Sequence, residues 1–536
     1  MISLLDHLIV FPIILPLMMA AVSLMIEPRP PRVVLSSVTI IALLVIAGFL
    51  LMSTTGPEGI PAQVYRIGNW PAPFGIVLVL DRLSAMMLLL TSILALAAFV
   101  FSLARWDRAG PRFHALFLLL LAGLDGAFLT GDLFNLFVFF EVLLAASYGL
   151  VLHGSGAARV KASLHYIAIN LAASSLFLVG VSVIYGITGT LNMADLAARV
   201  PHIVGQTRTL FEVGCAVLGI AFLVKAGIWP LGFWLPPTYS ASSAPAAAVF
   251  AIMTKVGVYA ILRATFLFFG PDAGGTADYP SPLLLAGGAL TIVMSAIGLM
   301  AARTFSRIAG FSVLISSGAV IAVIGVGGER ALSGALYYMI SSTLAVAAFF
   351  LLIELLNRMR GTVAPALGPP VFEDEYRDPY EDGPPGDEVG VVIPAVIALI
   401  SGGFILSGLL LAGMPPLSGF VGKFAIMTAL ADQAGTAEWA LIVVLTLSSF
   451  AAIIAVMRIG IETVAAYKEN TIPHVHRVEF IAIAGLLALC IAMTVYAADV
   501  LQYTDDTVGW LYRPAEYIEA VLKGEASSHS ADGRLP

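Results

Sequence analysis

The chain has 536 residues, of which 59% are apolar and only 11% are charged, and its mean hydropathy is +0.97. Soluble domains carry roughly 25% charged residues, so this composition predicts an integral membrane protein. The net charge of −7 says little by itself, and no Lys/Arg block suggests a nucleic-acid partner. Two cysteines are too few for a disulfide framework, a zinc finger or an iron–sulfur cluster, so we expect no metal and no cofactor.

Apolar runs long enough to cross a bilayer recur along the whole chain. A hydrocarbon core about 30 Å thick needs roughly 20 apolar residues per helix, and the backbone must satisfy its own hydrogen bonds there. The sequence therefore predicts an all-α fold with about fourteen transmembrane helices. These spans lie near 7–26, 33–52, 84–104, 113–130, 132–152, 162–187, 209–229, 244–269, 282–302, 308–327, 331–356, 390–413 continuing to 431, 438–462 and 478–500.

The basic residues orient these spans. Fourteen Lys and Arg residues lie in the odd-numbered loops and five in the even-numbered loops, the latter counting Arg263. By the positive-inside rule the odd-numbered loops are cytoplasmic, which puts both termini on the outer side of the cell membrane. The one long loop, 357–389, is rich in proline and acidic residues and is expected to be a flexible cytoplasmic tether.

Two predicted spans are interrupted by prolines at corresponding places. Span 7 contains Pro230, and span 12 contains Pro415 and Pro416. A proline inside a helix leaves the carbonyl four residues earlier without its partner. Such a carbonyl is tolerated at membrane depth only where protein or a water-filled cavity covers it. Two simple packing kinks are the structural alternative, but a lysine beside each break favours an ion path.

The two breaks lie five spans apart, which predicts inverted repeats of five helices. The expected units are N-terminal helices 1–112, a first repeat 113–269, a second repeat 282–462, and a last span with its tail, 478–536. Paired discontinuous helices of this kind mark an ion path at the interface between two repeats.

Ionisable residues inside apolar runs are functional candidates, because each is costly at bilayer depth. The strongest are Glu141 in span 5, Lys225 and Lys423 beside the two breaks, and Lys255 in span 8. A buried Glu–Lys pair can pass a proton when its geometry changes, so these four residues predict a proton relay.

Two weaker candidates accompany them. Asp125 in span 4 joins the relay or simply hydrogen-bonds a neighbouring helix. His165 in span 6 joins the relay or satisfies a hydrogen bond in the core.

Three motifs carry a resemblance to a known family. The runs GDLFNLFVFFEVLLAASYGL, FLVKAGIWPLGFWLPPTYSASSAP with TKVGVYAILR, and GMPPLSGFVGK closely resemble the D-type subunits of the Mrp-type multisubunit cation/proton antiporters. More distantly, the chain is similar to the antiporter-like membrane subunits of respiratory complex I. The resemblance spans nearly all of the chain.

The resemblance implies that Glu141, Lys225, Lys255 and Lys423 form the central polar axis of the family. One departure stands out. Related proteins often carry a histidine and a lysine in the eleventh span, where this chain has Ser341 and Val346. The axis is therefore thinner between Lys255 and Lys423, and we expect water or another group to bridge it.

The leading functional hypothesis is a transport subunit that moves protons inward in exchange for sodium or another monovalent cation. Its expected partners are an A-type antiporter subunit and small membrane subunits. A second hypothesis is a proton-pumping membrane subunit of an NADH:quinone oxidoreductase or membrane-bound hydrogenase. A third is a transporter that works alone. Gene neighbours distinguish the first two, and ion exchange by the single chain would favour the third.

Overall fold

The computed structural model describes residues 6–55, 62–110, 112–154, 156–359, 394–465 and 475–523. Within these ranges the chain forms nineteen α-helices and one antiparallel pair of strands. The strands are β1, Ala62–Arg66, and β2, Val77–Asp81. The helices, numbered α1 to α19 in chain order, are Phe11–Met25, Arg29–Thr55, Arg82–Ser102, Phe113–Leu129, Leu133–Leu152, Ala157–Thr188, Met193–Arg199, Gly205–Ala226, Leu235–Ala241, Ala244–Phe268, Ser281–Ala301, Phe305–Val326, Glu329–Met359, Pro394–Ala412, Ser418–Gln433, Thr436–Ala465, Arg477–Val495, Ala497–Leu511 and Pro514–Lys523.

The helices confirm a membrane protein with many spans. In the described ranges, eleven helices are long and apolar enough to cross a bilayer. Three further apolar helices are shorter, at Phe11–Met25, Phe113–Leu129 and Val396–Ala412. The number of fourteen spans stays a prediction. The acidic loop predicted at 357–389 lies, from residue 360 onward, outside the described residues.

Burial separates an inner group of helices from an outer one. Nearly all residues in the most apolar stretches of α10, α12 and α13 are buried, whereas about two thirds of the corresponding residues in α2, α11 and α16 are not. The exposed side chains of the outer helices are large and apolar, such as Val38 and Ile41 on α2 and Val443 and Leu447 on α16. An apolar exterior around a packed interior is the arrangement that a hydrocarbon solvent favours.

Both predicted breaks end a helix in the same way. Helix α8 ends at Ala226, and Gly227 follows with φ of 74°. Helix α14 ends at Ala412, and Gly413 follows with φ of 73°. In each case the backbone N–H of the next residue bonds to the carbonyl five residues earlier, at 3.0 Å. This is the Schellman motif, which needs a left-handed residue that glycine adopts without steric cost.

The sequences around the two breaks also match. The first reads Ala-Gly-Ile-Trp-Pro-Leu from residue 226, and the second reads Ala-Gly-Met-Pro-Pro-Leu from residue 412. The chain resumes as a helix at Leu235 after the first break and at Ser418 after the second. Equivalent sequence therefore gives equivalent backbone at two places in the chain.

A small cap at one end of the bundle was not part of the all-α expectation. Strands β1 and β2 pair antiparallel with Ala62 opposite Asp81, and α19 packs against β1 and α7. The backbone of Gly131, just after α4, bonds to β2 at the carbonyl of Val77. We call this side of the molecule the hairpin end. The loops at Trp106, His153 and Arg303 lie at the opposite end.

Candidate functional site

Glu141 and Lys225 lie near each other but do not form an ion pair. Lys225 is buried in the last turn of α8, and its Nζ lies 4.8 Å from the centre of the Phe140 ring. That nitrogen has no hydrogen-bond partner among the described residues. Glu141 is half-buried on α5, accepts a hydrogen bond from Ser174 of α6 and interacts electrostatically with Lys225. The Glu141 carboxylate is therefore held by a neutral hydroxyl, whereas the nearby Lys225 amine has no hydrogen-bond acceptor in the described part of the chain.

Lys255 lies in the most buried helix, α10, with 1% of its surface exposed. Its Nζ donates to Ser316 Oγ at 2.9 Å and to Ser317 Oγ at 3.1 Å, both on α12. Ser316 Oγ lies 2.6 Å from Ser342 Oγ on α13. A buried amine is thus connected to two further helices through hydroxyl groups.

Lys423 of α15 reaches back across the second break. Its Nζ donates to the carbonyl of Ala412 at 3.2 Å and to Ser449 Oγ at 2.8 Å. The Ala412 carbonyl is one of the two that the prolines were predicted to free. Because the carboxyl end of a helix carries partial negative charge, the end of α14 is a favourable place for a cation.

The eleventh-span residues that depart from the family pattern have separate surroundings. Ser341 donates to Ser418 Oγ at 2.8 Å, at the start of α15. Val346 lines a small cavity that also contacts Ser342, Tyr338 and Lys423. Neither residue contacts Lys255 through a hydrogen bond within the described part of the chain.

Neither of the two weaker candidates has a hydrogen bond or ion pair with the four relay residues in the described part of the chain. Asp125 is buried in α4, and its Oδ1 has no hydrogen-bond partner within the described ranges. His165 is exposed on α6, and its Nδ1 lies 2.9 Å from the carbonyl of Lys161. The core hydrogen bond predicted as one role of His165 is therefore not formed, because this face of α6 points away from the bundle. A part of His165 in the relay stays a prediction.

A second buried charge cluster lies at the hairpin end, and the prediction that its arginine belongs to a loop is wrong. Arg263 is in α10, and its Nη2 donates to Asp81 Oδ1 at 3.0 Å and to Tyr259 Oη at 2.9 Å. Both members of the ion pair are buried. Arg263 lies eight residues after Lys255 and inside the predicted span 8. That position was the sequence signal that Arg263 belongs to a helix and not to a loop.

Charged residues also cluster at the opposite end. Asp107 accepts from Arg29 Nε at 2.8 Å and lies 3.7 Å from His114 Nε2. Burial opposes ionisation of Asp107, but His114 and Arg29 outweigh it and lower its pKa. His153 contacts the Trp106 carbonyl at 2.7 Å, and burial lowers its pKa. Asp107 and His153 both lie outside the apolar spans, Asp107 between α3 and α4 and His153 just after α5.

No cluster of three or more His, Cys, Asp or Glu side chains suited to a metal ion occurs among the residues that the structure describes. The side chains that converge on the breaks are lysines and serines, with one half-buried glutamate. This chemistry supports exchange of protons between amines, hydroxyls and a carboxylate. The fold and the site together define a membrane protein with many spans whose interior carries buried amines.

Comparisons with known proteins agree with this class. A family described as NADH:quinone oxidoreductase/Mrp antiporter, TM, matches residues 130–364. The D-type subunit of a probable K(+)/H(+) antiporter of Rhizobium meliloti is 51% identical over 97% of this chain and 98% of its own length. The D-type subunit of the Na(+)/H(+) antiporter of Bacillus subtilis is 33% identical over 97% of this chain and 100% of its own length. The chain therefore belongs to the D-type subunit family of cation/proton antiporters, which confirms the resemblance.

Solved structures show the same fold. A chain of the Mrp complex from Dietzia sp. DQ12-45-1b is 24% identical, with a TM-score of 0.80 over 97% of this chain and 100% of that one. A chain of respiratory complex I from Thermus thermophilus is 22% identical, with a TM-score of 0.74 over 96% of this chain and 99% of that one. Both matches lie inside multisubunit membrane complexes.

Proposed function

We propose that this chain is the proton-translocating subunit of a multisubunit monovalent cation/proton antiporter. Protons move inward along Glu141, Lys225, Lys255 and Lys423, and this flow is coupled to outward movement of sodium, potassium or another monovalent cation. The names of the relatives support antiport, and they differ in the cation, K(+) for one and Na(+) for others.

The observation that carries the proposal is the set of three lysines buried inside the bundle. Lys225, Lys255 and Lys423 have 6%, 1% and 2% of their surface exposed. A static role would favour a salt bridge for each, because an unpaired buried charge is costly. None of the three has a carboxylate within 4.0 Å among the described residues, so no ion pair fixes their charge and the amines can gain and lose a proton.

Glu141 and Lys225 are proposed to act as a proton-coupled pair. Ser174 holds the Glu141 carboxylate, and the Lys225 amine lies over the Phe140 ring. Movement of the Lys225 amine toward the Glu141 carboxylate would convert the separated groups into an ion pair. A conformational change that alternates these states would capture and release one proton.

The topology is proposed from the sequence. It has fourteen spans, cytoplasmic odd-numbered loops and both termini outside. The repeats are 113–269 and 282–462, and 1–112 and 478–536 flank them. Matching helix contacts support the repeats, since α4 packs on α5 as α11 packs on α12, and α8 packs on α10 as α14 packs on α16.

A cysteine introduced at residue 380 tests the orientation. In a variant with Cys215 replaced by alanine, we expect an impermeant maleimide to label this site only from the cytoplasmic side. Labelling from outside would reverse the proposed topology. The native Cys490 is buried and provides the control for unspecific labelling.

Partners are proposed because the chain offers few oxygen ligands for a cation. An A-type antiporter subunit and small membrane subunits would complete the cation path. The second hypothesis, a subunit of an oxidoreductase, shares the fold but gains no support from the names of the relatives. A gene neighbourhood with flavin or iron–sulfur proteins would favour it.

Exchange in everted membrane vesicles tests the function. The chain alone and the chain with its operon neighbours are compared in a host lacking its own antiporters, with Na⁺ and K⁺ added separately. We expect cation-dependent proton release only with the complete set. Equal exchange by the single chain would contradict the multisubunit proposal, and no exchange by the complete set with either cation would contradict antiport.

A further inference from the structure

Lys255 and Lys423 are consecutive steps of the proposed relay, and the charged groups that related proteins often carry in the eleventh span between them are replaced here by Ser341 and Val346. Two hydroxyl groups occupy this region. Ser316 Oγ accepts from Lys255 Nζ at 2.9 Å and lies 2.6 Å from Ser342 Oγ. Ser316 is 1% exposed and Ser342 is 7% exposed, so both are enclosed by protein.

A cavity continues the path from Ser342 to Lys423. Ser342, Tyr338, Val346, Lys423 and Ser448 are among the residues that line it, and its volume is about 10 Å³. One water needs roughly 10–15 Å³ by this measure and two to four polar partners. Ser342 and Lys423 supply two such partners on opposite helices.

We propose that Ser316, Ser342 and one water in this cavity form the proton bridge between Lys255 and Lys423. Ser342 lies in the eleventh span, one position after Ser341, and Ser316 on α12 connects it to Lys255. The bridge rests on the proposed function, because it is a path within the same relay.

The transfer is a shift of one proton along four O–H and N–H bonds. The Lys255 ammonium gives a proton to Ser316 Oγ while the Ser316 hydroxyl proton passes to Ser342 Oγ. The Ser342 proton passes to the water, and a water proton passes to the neutral amine of Lys423. Lys255 becomes neutral and Lys423 becomes an ammonium, so charge and atoms balance. Rotation of the two hydroxyls and of the water restores the hydrogen-bond directions, and the next proton can pass once Lys255 has regained a proton and Lys423 has released one.

A neighbouring serine provides a matched control. Ser341 is adjacent to Ser342 and is likewise buried, but it donates to Ser418 instead. Ser341→Ala removes one buried hydroxyl, as the bridge variants do, while the path from Lys255 to Lys423 stays intact.

The experiment measures exchange by the complete complex in everted vesicles, normalised to the amount of assembled complex. We expect Ser316→Ala and Ser342→Ala each to lower the rate at least about tenfold, since a positioned proton-transfer group contributes roughly 10²–10⁴-fold and water replaces part of it. The double variant should be no slower than either single one. Ser341→Ala should stay within about twofold of the wild-type rate, because its path from Lys255 to Lys423 is unbroken.

An isosteric pair separates proton transfer from packing. Threonine and valine have the same shape, so Ser316→Thr should exchange faster than Ser316→Val at equal complex amount. Equal rates for this pair would overturn the bridge. So would equal losses in the bridge and control variants.

Lys255→Ala and Lys423→Ala are measured in the same series. If these lysine variants lose exchange while Ser316→Ala with Ser342→Ala keeps the wild-type rate, the bridge is wrong and the relay stands. If the lysine variants also keep the wild-type rate, the relay itself is wrong and the bridge falls with it.

Discussion

The two helix breaks share a backbone and differ in how they hold a lysine. Gly227 and Gly413 end their helices in the same left-handed conformation and with the same pair of capping hydrogen bonds. Lys225 belongs to the last turn of α8 itself, and its amine has no hydrogen-bond partner in the described part of the chain. Lys423 lies on the far side of its break and donates to the last carbonyl of α14 and to Ser449.

This difference separates two ways to keep an amine inside a membrane protein. At the first break the electrostatic partner is a carboxylate, Glu141, which lies outside ion-pair distance. At the second break the partners are a helix end and a hydroxyl, which stabilise a cation without competing for its proton. The same backbone conformation therefore accompanies two different surroundings for a lysine. The residue equivalent to Lys225 in the second repeat is Leu411.

The largest effect is expected at the first break. Glu141→Ala and Lys225→Ala should each lower exchange by at least about 100-fold, because each removes a proton-transfer group from the relay. The double variant should be no worse than either single one, because groups that act as a unit are not additive. Exchange in everted vesicles is the measurement, with the amount of assembled complex determined in parallel.

A matched variant controls this test. Ser182→Ala removes an exposed hydroxyl from α6, the helix that supplies Ser174, and should leave the rate unchanged. Near-normal exchange in Lys225→Ala at normal complex amount would make the first break a structural feature and reverse the comparison.

At the second break, Lys423→Ala should lower exchange at least about tenfold while the complex still assembles. Lys423 contributes hydrogen bonds worth roughly 1–3 kcal/mol rather than a buried ion pair, so stability should suffer little. Lys423→Met keeps most of the side-chain volume and should lose exchange equally. If Met restores the rate, Lys423 serves packing at the kink and not proton transfer.

Alanine at the two glycines sharpens the comparison further. Both changes strain a left-handed residue by about 1–3 kcal/mol. A Cβ at Gly227 would lie 2.7 Å from Leu314, whereas one at Gly413 would lie 2.9 Å from the Cδ of Lys423. Gly413→Ala should therefore slow exchange per complex, and Gly227→Ala should mainly lower the thermal midpoint.

Exchange rates and unfolding midpoints of both glycine variants decide this point. Equal slowing per assembled complex would show that strain at the turn, and not displacement of Lys423, limits the rate.

The smallest effect concerns pH and lies outside the spans. Burial lowers the pKa of His153 below its unfolded value, so folding favours the neutral ring. Its contribution to stability is present above the unfolded pKa of about 6.5 and is lost as pH falls through the folded pKa. The unfolding temperature of the purified complex should decrease as the pH is lowered below about 6.5. His153→Gln should reduce that decrease by a few degrees.

His165→Gln provides the control for this profile, because His165 is exposed on α6. It should leave the pH dependence of the midpoint unchanged. An unaltered acid loss in His153→Gln would assign that loss to other groups.

Much of this protein follows from its sequence. The apolar runs, the two proline breaks and the lone lysines are local features, because bilayer thickness and the helix rise per residue act on each segment separately. The carbonyl of Ala412, freed by a proline four residues later, is the one that Lys423 contacts. The three family motifs lie on these same segments, so the family too was readable from the residues.

Tertiary packing decided the rest. A serine on an apolar helix can bond to the backbone of its own helix or to another helix, and the sequence does not distinguish the two. The contact of Ser316 with Ser342 could therefore be known only from the packing of α12 on α13. The face of a helix that carries His165 is likewise set by its neighbours, as is the pairing of Arg263 with Asp81 across 182 positions. Segments determine which charges enter the membrane, and the contacts between helices determine which groups those charges meet.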